Sequence, residues 1–235
     1  MELQDRQVVL TGGSGVVGSA VAARAIAAGA TLIVADRVPP EPALLDALGD
    51  GAARLTFHQT DVTDEASVRS LFAAAARSGG PQILLNVAGG FRFGPAVEDT
   101  SVVDWDSMLD LNLRSAFLCI KHALPLMKAA NYGRIVSVAA RAGLQGSAMI
   151  APYAVSKGGV ILLTQAAADE VKDFDITINA VLPSVVDTDA NREAMPDTAF
   201  DAWVPPADLA EVILFLASDR ARSIRGAAIP VYHRA

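Results

Sequence analysis

A tyrosine and a lysine four residues apart, Tyr153 and Lys157, are the pair in this chain best suited to proton transfer. Positions four apart on a helix share a face, so the two side chains point the same way. A neighbouring ammonium favours the phenolate, and we expect it to lower the pKa of the Tyr153 phenol from its ordinary value of about 10. The alternative is that Tyr153 and Lys157 are ordinary surface residues of a helix. The position of the pair in the fold distinguishes a catalytic pair from a surface pair.

The elements that position this pair alternate along the chain. Short apolar runs predict seven strands, at residues 7–10, 31–35, 54–58, 83–87, 134–138, 176–181 and 227–231. Longer stretches predict helices at residues 18–28, 66–77, 105–129, 153–174 and 209–217. Strands that are apolar on both faces and alternate with helices are typical of a sheet covered on both sides. We therefore expect a Rossmann-type, doubly wound α/β fold with a mostly parallel seven-stranded sheet, formed by residues 1–235 as a single domain.

A glycine-rich segment follows the first predicted strand and opens the first predicted helix. Its residues are Gly12, Gly13, Ser14, Gly15, Val16, Val17 and Gly18. Gly13, Gly15 and Gly18 satisfy the pattern G-x-G-x-x-G, and Asp36 follows at the end of the second strand. Glycines let the backbone approach a pyrophosphate, and the helix amino terminus supplies N–H groups and positive potential. This context predicts a dinucleotide-binding turn rather than a plain glycine-rich turn.

The residues after this turn bear on the type of dinucleotide. Asp36 is placed to accept hydrogen bonds from the ribose hydroxyls. Its carboxylate would repel a 2′-phosphate by about 1 to 4 kcal/mol at about 4 Å, which favours NAD(H). Arg37 can pair with a 2′-phosphate or stack on the adenine, so NADP(H) stays open.

The bulk composition excludes several functions. Hydrophobic residues make up 52% of the chain and the mean hydropathy is +0.35, enough for a large core. A net charge of -7 without a basic stripe argues against a nucleic-acid partner. A single Cys119 excludes a disulfide framework, and the scattered histidines give no spacing for a metal site. Without a signal-peptide pattern or a long uncharged apolar run, we expect a cytoplasmic protein that does not enter membranes.

Together these motifs resemble the short-chain dehydrogenase/reductase family over nearly the whole chain. The segments that carry the resemblance are 11–18, 61–62, 86–89, 111–113, 153–157 and 183–188. The resemblance implies NAD(P)H-dependent hydride transfer, with Tyr153 as the acid/base, Lys157 on the nicotinamide ribose and Asn112 holding a water in the proton relay. It also implies that the adenine contacts Asp61 and Val62, and that the cofactor runs along Asn86, Ala88, Gly89, Pro183, Val186 and Thr188.

Several positions depart from the family pattern. The second glycine of the turn usually stands at Val16 rather than Gly15, and three other usual glycines are replaced by Ser184, Tyr232 and His233. Ala140 stands 13 residues before Tyr153, where the family has a serine. The shifted glycine, the missing serine and the segment 181–203 resemble the quinonoid dihydropteridine reductase branch, which uses NADH.

Ala140 narrows the expected substrate. A serine at this position would donate a hydrogen bond to a carbonyl oxygen, and losing such a donor costs about 10² to 10³ in rate. Ser137 is expected to point elsewhere, and Ser147 lies in a loop where a replacement donor is poorly fixed. We therefore expect a quinonoid, conjugated or pterin-like acceptor, whose charge is already delocalised. A general NAD-dependent alcohol or ketone dehydrogenase and a catalytically weak, cofactor-binding regulatory protein are the alternatives.

Other residues are candidates for the walls of a small-molecule site. Phe91 and Arg92 follow the fourth strand and either line the substrate site, with Arg92 on a polar ring, or form an ordinary loop. Residues 187–206 carry three prolines and mixed charge, a composition and length typical of a lid. Trp203 either contacts substrate from this lid or anchors it, and we favour anchoring.

The two longest predicted helices bear on self-association. Residues 105–129 and 153–174 are apolar enough to pack against a second subunit. Members of the family pair through these helices, so the resemblance implies a homodimer or homotetramer.

Overall fold

The computed structural model describes residues 3–234, which form a seven-stranded sheet. The strands are β1 (Gln7–Thr11), β2 (Thr31–Asp36), β3 (Leu55–Gln59), β4 (Ile83–Asn86), β5 (Gly133–Val138), β6 (Ile176–Pro183) and β7 (Ala228–Val231). Their order in the sheet is β3-β2-β1-β4-β5-β6-β7, and every neighbouring pair is parallel. The prediction of a doubly wound fold is confirmed, and the sheet is parallel throughout rather than mostly parallel.

Helices cover both faces of this sheet. They are α1 (Val16–Ala27), α2 (Pro42–Leu48), α3 (Glu65–Arg77), α4 (Val102–Leu109), α5 (Ser115–Ala130), α6 (Ala151–Glu170), α7 (Asp189–Ala194) and α8 (Pro206–Ala217). Val8 of β1 packs in one core cluster with residues of α1 and α8, whereas Val9 packs in another with residues of α3 and α5. Successive strand residues therefore enter opposite cores, which is why the strands are apolar on both faces.

The predicted helix over 105–129 is interrupted. A π-helical turn, Asp110–Arg114, joins α4 to α5 and contains the buried Asn112. A π turn inserts one extra residue into a helix and is frequent at functional sites. Hydrophobic periodicity does not reveal it, because the flanking residues are compatible with an ordinary helix. No helix within residues 3–234 combines the length and the apolar character needed to cross a bilayer.

Two predicted irregular segments contain short helices. The proline-rich turn after β2 leads into α2, whose first residue is Pro42, because proline suits the first position of a helix. The segment 187–206 contains α7 and a 3₁₀ turn, Phe200–Ala202. Val186 pairs with Val204 across its base, and Asp187 N–H donates to the Val204 carbonyl oxygen at 2.9 Å. These contacts fix both ends of the segment.

Candidate active site

A cleft of about 670 Å³ opens at the carboxyl ends of the central strands. It lies beside β1 and β4, where the strand order reverses and where such sheets bind ligands. Many of the residues predicted to hold a cofactor line it: Gly12, Gly15, Val16, Val17, Gly18, Asp36, Arg37, Asp61, Val62, Ala88, Gly89 and Thr188. Leu111, from the segment 111–113 that carries the family resemblance, also lines it. Ser107 and Asp110 line it too, and no motif in the sequence points to them.

The glycine-rich turn is built by close backbone contacts. Gly12 has a φ of +70°, and a Cβ there would lie 2.7 Å from the Ala88 backbone. A Cβ on Gly18 would lie 2.0 Å from the Gly12 carbonyl oxygen. Both positions therefore require glycine, which brings the turn against the end of β4 and the start of α1. Gly15, the shifted glycine, meets no such contact and stands exposed at the N-cap of α1.

Asp36 is joined to the same turn. Its Oδ2 accepts a hydrogen bond from Ser14 N–H at 3.1 Å, and its Oδ1 accepts one from Arg37 N–H at 2.7 Å. Arg37 is exposed beside it. Asp61, farther along the cleft, has a pKa below its usual range because the Thr63 hydroxyl and N–H donate to it. Two carboxylates therefore border this end of the cleft.

The end of β4 divides the predicted residues into two groups. Ala88 and Gly89 line the cleft, and the Val87 and Ala88 N–H groups both donate to Thr11 Oγ1 at 3.2 Å. Asn86 is buried, and its Nδ2 donates to Ser137 Oγ at 3.2 Å. The Asn86 side chain thus ties β4 to β5.

Asn112 and Lys157 meet at Gly89, and Tyr153 lies beside Lys157. A Cβ on Gly89 would lie 2.8 Å from Asn112 Oδ1 and 3.1 Å from Lys157 Nζ. The Lys157 Nζ lies 5.9 Å from the centre of the Tyr153 ring. The structure therefore brings the three predicted catalytic residues to one place, at the cleft-lining end of β4.

The environment of Tyr153 reverses the predicted pKa shift. Burial raises the pKa of the Tyr153 phenol to about 12, because a buried phenolate loses the hydration of its charge. Burial also lowers the pKa of Lys157 to about 8, and its Nζ donates to the Val138 carbonyl oxygen at 2.8 Å. The prediction that Lys157 lowers the pKa of Tyr153 is wrong for the protein chain alone.

The position of the missing serine is apolar and buried. Ala140 is 4% exposed and follows the end of β5. The Ser137 hydroxyl is buried and accepts from Asn86, so it points elsewhere, as expected from the sequence. Ser147 is exposed in the loop before α6. Ser137 therefore does not supply the hydroxyl that Ala140 lacks.

An aromatic side chain stands against the phenol. The rings of Phe91 and Tyr153 lie 4.9 Å apart at 89°, and Phe93 meets Phe91 edge-on at 5.5 Å. The loop is held at its far end, where Gly94 N–H donates to the Met149 carbonyl oxygen at 2.8 Å. This contact favours the interpretation of Phe91 as a wall of the site. Arg92 forms an ion pair with Asp104. This ion pair competes with the predicted contact between Arg92 and a polar ring of the substrate.

The segment after β6 contributes one cleft residue and an anchor. Pro183 is buried at the end of β6, and Val186 pairs with Val204. Thr188 lines the cleft, and its Oγ1 accepts from Asn191 N–H at 3.2 Å, which caps α7. Trp203 is 5% exposed and packs on Phe200. Trp203 therefore anchors the segment, and the alternative of a substrate contact is not supported.

Comparison with known proteins identifies the class to which this fold and site belong. Residues 6–199 match the short chain dehydrogenase family, and the chain belongs to this family. It is similar to a cis-4-hydroxycyclohexanecarboxylate dehydrogenase of Sinomonas cyclohexanicum, with 33% identity over 97% of this chain and 95% of that protein. It is also similar to a D-beta-hydroxybutyrate dehydrogenase of Rhizobium meliloti, with 31% identity over 83% of this chain and 76% of that protein.

A solved structure gives the same classification. ElxO with NADP bound is 26% identical, covers 97% of each chain and superimposes with a TM-score of 0.90. The protein is therefore an oxidoreductase of the short-chain dehydrogenase type, as the sequence predicts.

Proposed function

We propose that this oxidoreductase transfers hydride between a nicotinamide cofactor and a cyclic, conjugated acceptor of quinonoid or pterin-like type. The contact of Phe91 with Tyr153, 4.9 Å between ring centres, carries the proposal. Phe91 is 47% exposed, so an aromatic surface stands free beside the proton donor. Flat rings bind well against such a surface.

The residues of the cleft fit the dinucleotide that the family implies. The contacts at Gly12 and Gly18 leave no room for a side chain at either position, and the N-terminus of α1 adjoins the turn. Backbone N–H groups in such a turn suit a pyrophosphate. Asp36, Asp61 and Val62 would hold the adenosine half, and Gly89, Lys157 and Thr188 the nicotinamide half. When bound, the nicotinamide supplies or accepts the hydride.

NAD(H) is the preferred form in this proposal. The Asp36 carboxylate is held toward the cleft by Ser14 N–H, and a 2′-phosphate beside it would be repelled. ElxO binds NADP, and Arg37 is exposed here, so NADP(H) remains the second form.

Tyr153 is the proton donor. Since burial raises its pKa to about 12, the phenol is protonated at neutral pH and is ready for reduction of the acceptor. Lys157 lies one helical turn after Tyr153, and its Nζ is held by the Val138 carbonyl oxygen. It lies on the cofactor side of the site. Asn112 holds the loop that carries Phe91, through Gly90.

Ala140 supports a conjugated acceptor. An isolated ketone develops negative charge on its oxygen during hydride transfer, and the buried methyl group of Ala140 offers that oxygen no donor. In a quinonoid acceptor the charge spreads over the ring, so the missing hydrogen bond costs less.

A second candidate is a dehydrogenase of cyclic secondary alcohols and ketones. The name of the Sinomonas relative, a hydroxycyclohexanecarboxylate dehydrogenase, favours it. Phe91 suits a saturated six-membered ring as well as a flat one. The two candidates differ in whether the acceptor has to be conjugated.

Self-association through α5 and α6 is part of the proposal. Phe117 of α5 is 45% exposed, and Val155 and Leu162 of α6 are 49% and 68% exposed. Exposed apolar side chains on the helices through which the family pairs support a homodimer or homotetramer.

Steady-state oxidation of NADH tests the proposal. The acceptors are quinonoid dihydropterin, para-benzoquinone, 2-cyclohexenone and cyclohexanone, each corrected for the rate without enzyme. We expect the conjugated acceptors to turn over at least tenfold faster than cyclohexanone. Faster turnover of cyclohexanone, or of cyclohexanol with NAD, would establish the second candidate instead.

Tyr153→Phe is the matched variant for this screen. It removes one oxygen and keeps the ring contact with Phe91. We expect it to bind NADH as the unaltered enzyme does, while turnover falls by about 10² to 10⁴. An unchanged rate would remove Tyr153 from the mechanism. NADH binding without turnover of any acceptor would indicate a regulatory, cofactor-binding protein.

A further inference from the structure

An arginine follows the position of the missing serine and stacks on the last tyrosine of the chain. Arg141 comes directly after Ala140, in the 3₁₀ turn Arg141–Gly143. Its guanidinium carbon lies 5.1 Å from the centre of the Tyr232 ring. Tyr232 directly follows β7, as Ala140 closely follows β5. Both residues therefore stand at the carboxyl edge of the sheet, the edge that carries Tyr153 and Lys157.

The Tyr232 ring is a fixed platform. The backbone carbonyl oxygen of Tyr232 accepts a hydrogen bond from Ser184 Oγ at 2.9 Å, and Ser184 N–H donates to the Val231 carbonyl oxygen at 3.2 Å. The ring packs against a core cluster that includes Leu182 and Ile161 of β6 and α6. Ser184 and Tyr232, two departures from the family pattern, thus support each other. A guanidinium stacked on a fixed ring is restrained while the N–H groups on its edge stay free to donate.

Arg141 differs from Arg92 and Arg192, two other arginines near this edge of the sheet. Arg92 pairs with Asp104, and Arg192 pairs with Asp187 at 2.6 and 2.8 Å. Within residues 3–234 no carboxylate lies at ion-pair distance from Arg141, although acidic residues outnumber Lys and Arg by 26 to 19. The Arg141 guanidinium is therefore exposed, restrained and without an acidic partner in the described part of the chain.

We propose that Arg141, stacked on Tyr232, binds a carboxylate carried by the substrate. A guanidinium edge donates two parallel hydrogen bonds to a carboxylate, which orients as well as holds it. The substrate is then a cyclic conjugated acceptor that carries a carboxylate, with the reacting ring at Tyr153 and the carboxylate on the side of Ala140. This inference rests on the proposed function and adds the charged group of the substrate.

Binding of a non-reacting pair of ligands tests it without turnover. 4-Fluorobenzoate and 4-fluorobenzamide have the same ring and differ in charge, and fluorine NMR follows the binding of each. We expect the benzoate to bind at least tenfold more tightly than the benzamide, and Arg141→Gln to abolish the difference. Arg141→Lys keeps the positive charge but cannot donate two parallel hydrogen bonds, so it should retain part of the preference for the benzoate. Arg77→Gln, an exposed arginine at the end of α3, is the matched control and should change nothing.

The outcomes separate this inference from the proposed function. Equal binding of both ligands to the unaltered protein, or unchanged benzoate binding in Arg141→Gln, would overturn the carboxylate site. Turnover of neutral rings together with equal binding would leave the proposed function intact and remove only the site. Selective benzoate binding without turnover of any ring acceptor would retain the site and remove the proposed function.

Discussion

Asn112 and Gly90 are joined by two hydrogen bonds, from Gly90 N–H to Asn112 Oδ1 at 2.9 Å and from Asn112 Nδ2 to the Gly90 carbonyl oxygen at 3.1 Å. The side chain of the π turn thus holds the residue before Phe91, which contacts Tyr153. Sequence resemblance assigns Asn112 to a water relay. The geometry adds the role of positioning the wall of the site.

Replacing Asn112 with alanine is therefore expected to loosen that wall. Two backbone groups of Gly90 lose their partners, which should lower the free energy of unfolding by about 1 to 3 kcal/mol. The KM for ring acceptors should rise more than the Kd for NADH. Chemical denaturation and steady-state kinetics measure the two effects.

A double mutant separates positioning from proton relay. In a Phe91→Ala background, Asn112→Ala should leave the KM for ring acceptors unchanged, because the wall is already absent. Independent, additive effects of the two substitutions on KM would contradict the positioning role.

Ala140→Ser is expected to widen the range of acceptors. The new hydroxyl would supply the missing donor, so kcat/KM for cyclohexanone should rise by up to about 10²-fold. The rates for quinonoid acceptors should change little. Ala142→Ser, two residues farther along the same turn, is the matched control. An equal gain on both kinds of acceptor would show that conjugation does not compensate for the missing serine.

The strands and most helices were predictable because their apolar pattern is local and strong. Each of the seven strands lies within two residues of its predicted position. The π turn at Asp110–Arg114 was not predictable, because it depends on how α4 and α5 pack around Asn112. The burial of Arg134 was not predictable either, because its partners Asp175 and Asp219 lie far away in sequence.

The site was predictable where a motif fixes the backbone and not where environment sets the chemistry. The glycine turn and the spacing of Tyr153 and Lys157 are local, and the structure brings them to one cleft edge. The direction of the Tyr153 pKa shift depends on burial, which the spacing does not contain. The stacking of Arg141 on Tyr232 joins residues 91 positions apart, and only the departure at Tyr232 hinted at it.

Asp36→Asn tests the preference for NAD(H). The amide keeps an acceptor oxygen for Ser14 N–H and removes the charge. We expect the ratio of kcat/KM for NADPH to that for NADH to rise about tenfold, because the repulsion of a 2′-phosphate is lost. Arg37→Ala should lower NADPH use if that arginine pairs with the phosphate. An unchanged ratio in Asp36→Asn would show that the carboxylate does not select the cofactor.

Leu162→Glu tests self-association through α6. A charge at this exposed apolar position would have to be desolvated in an interface. We expect the variant to be monomeric by light scattering coupled to size exclusion, whereas the unaltered chain is a dimer or tetramer. Leu45→Glu on α2, which is 38% exposed, is the matched control and should keep the oligomer. A monomeric unaltered chain would refute the proposed interface.

Buried Lys157 makes stability depend on pH in a defined window. The folded chain lowers its pKa to about 8, against about 10.4 when exposed. Between these values the unfolded chain binds more protons than the folded chain, so the free energy of unfolding should rise with pH. The full difference is about 3 kcal/mol, and it is lost as the pH falls from about 10.4 to about 8.

Lys157→Met isolates this contribution, because it keeps the length of the side chain and removes the ammonium. The difference in unfolding free energy between the unaltered chain and the variant should shift by about 2.5 kcal/mol in favour of the unaltered chain from pH 7 to 10. The raised pKa of Tyr153, about 12, acts in the opposite direction only above pH 10 and is common to both proteins. Parallel profiles of the two proteins between pH 7 and 10 would mean that Lys157 is solvated and that its ammonium is not buried against Val138.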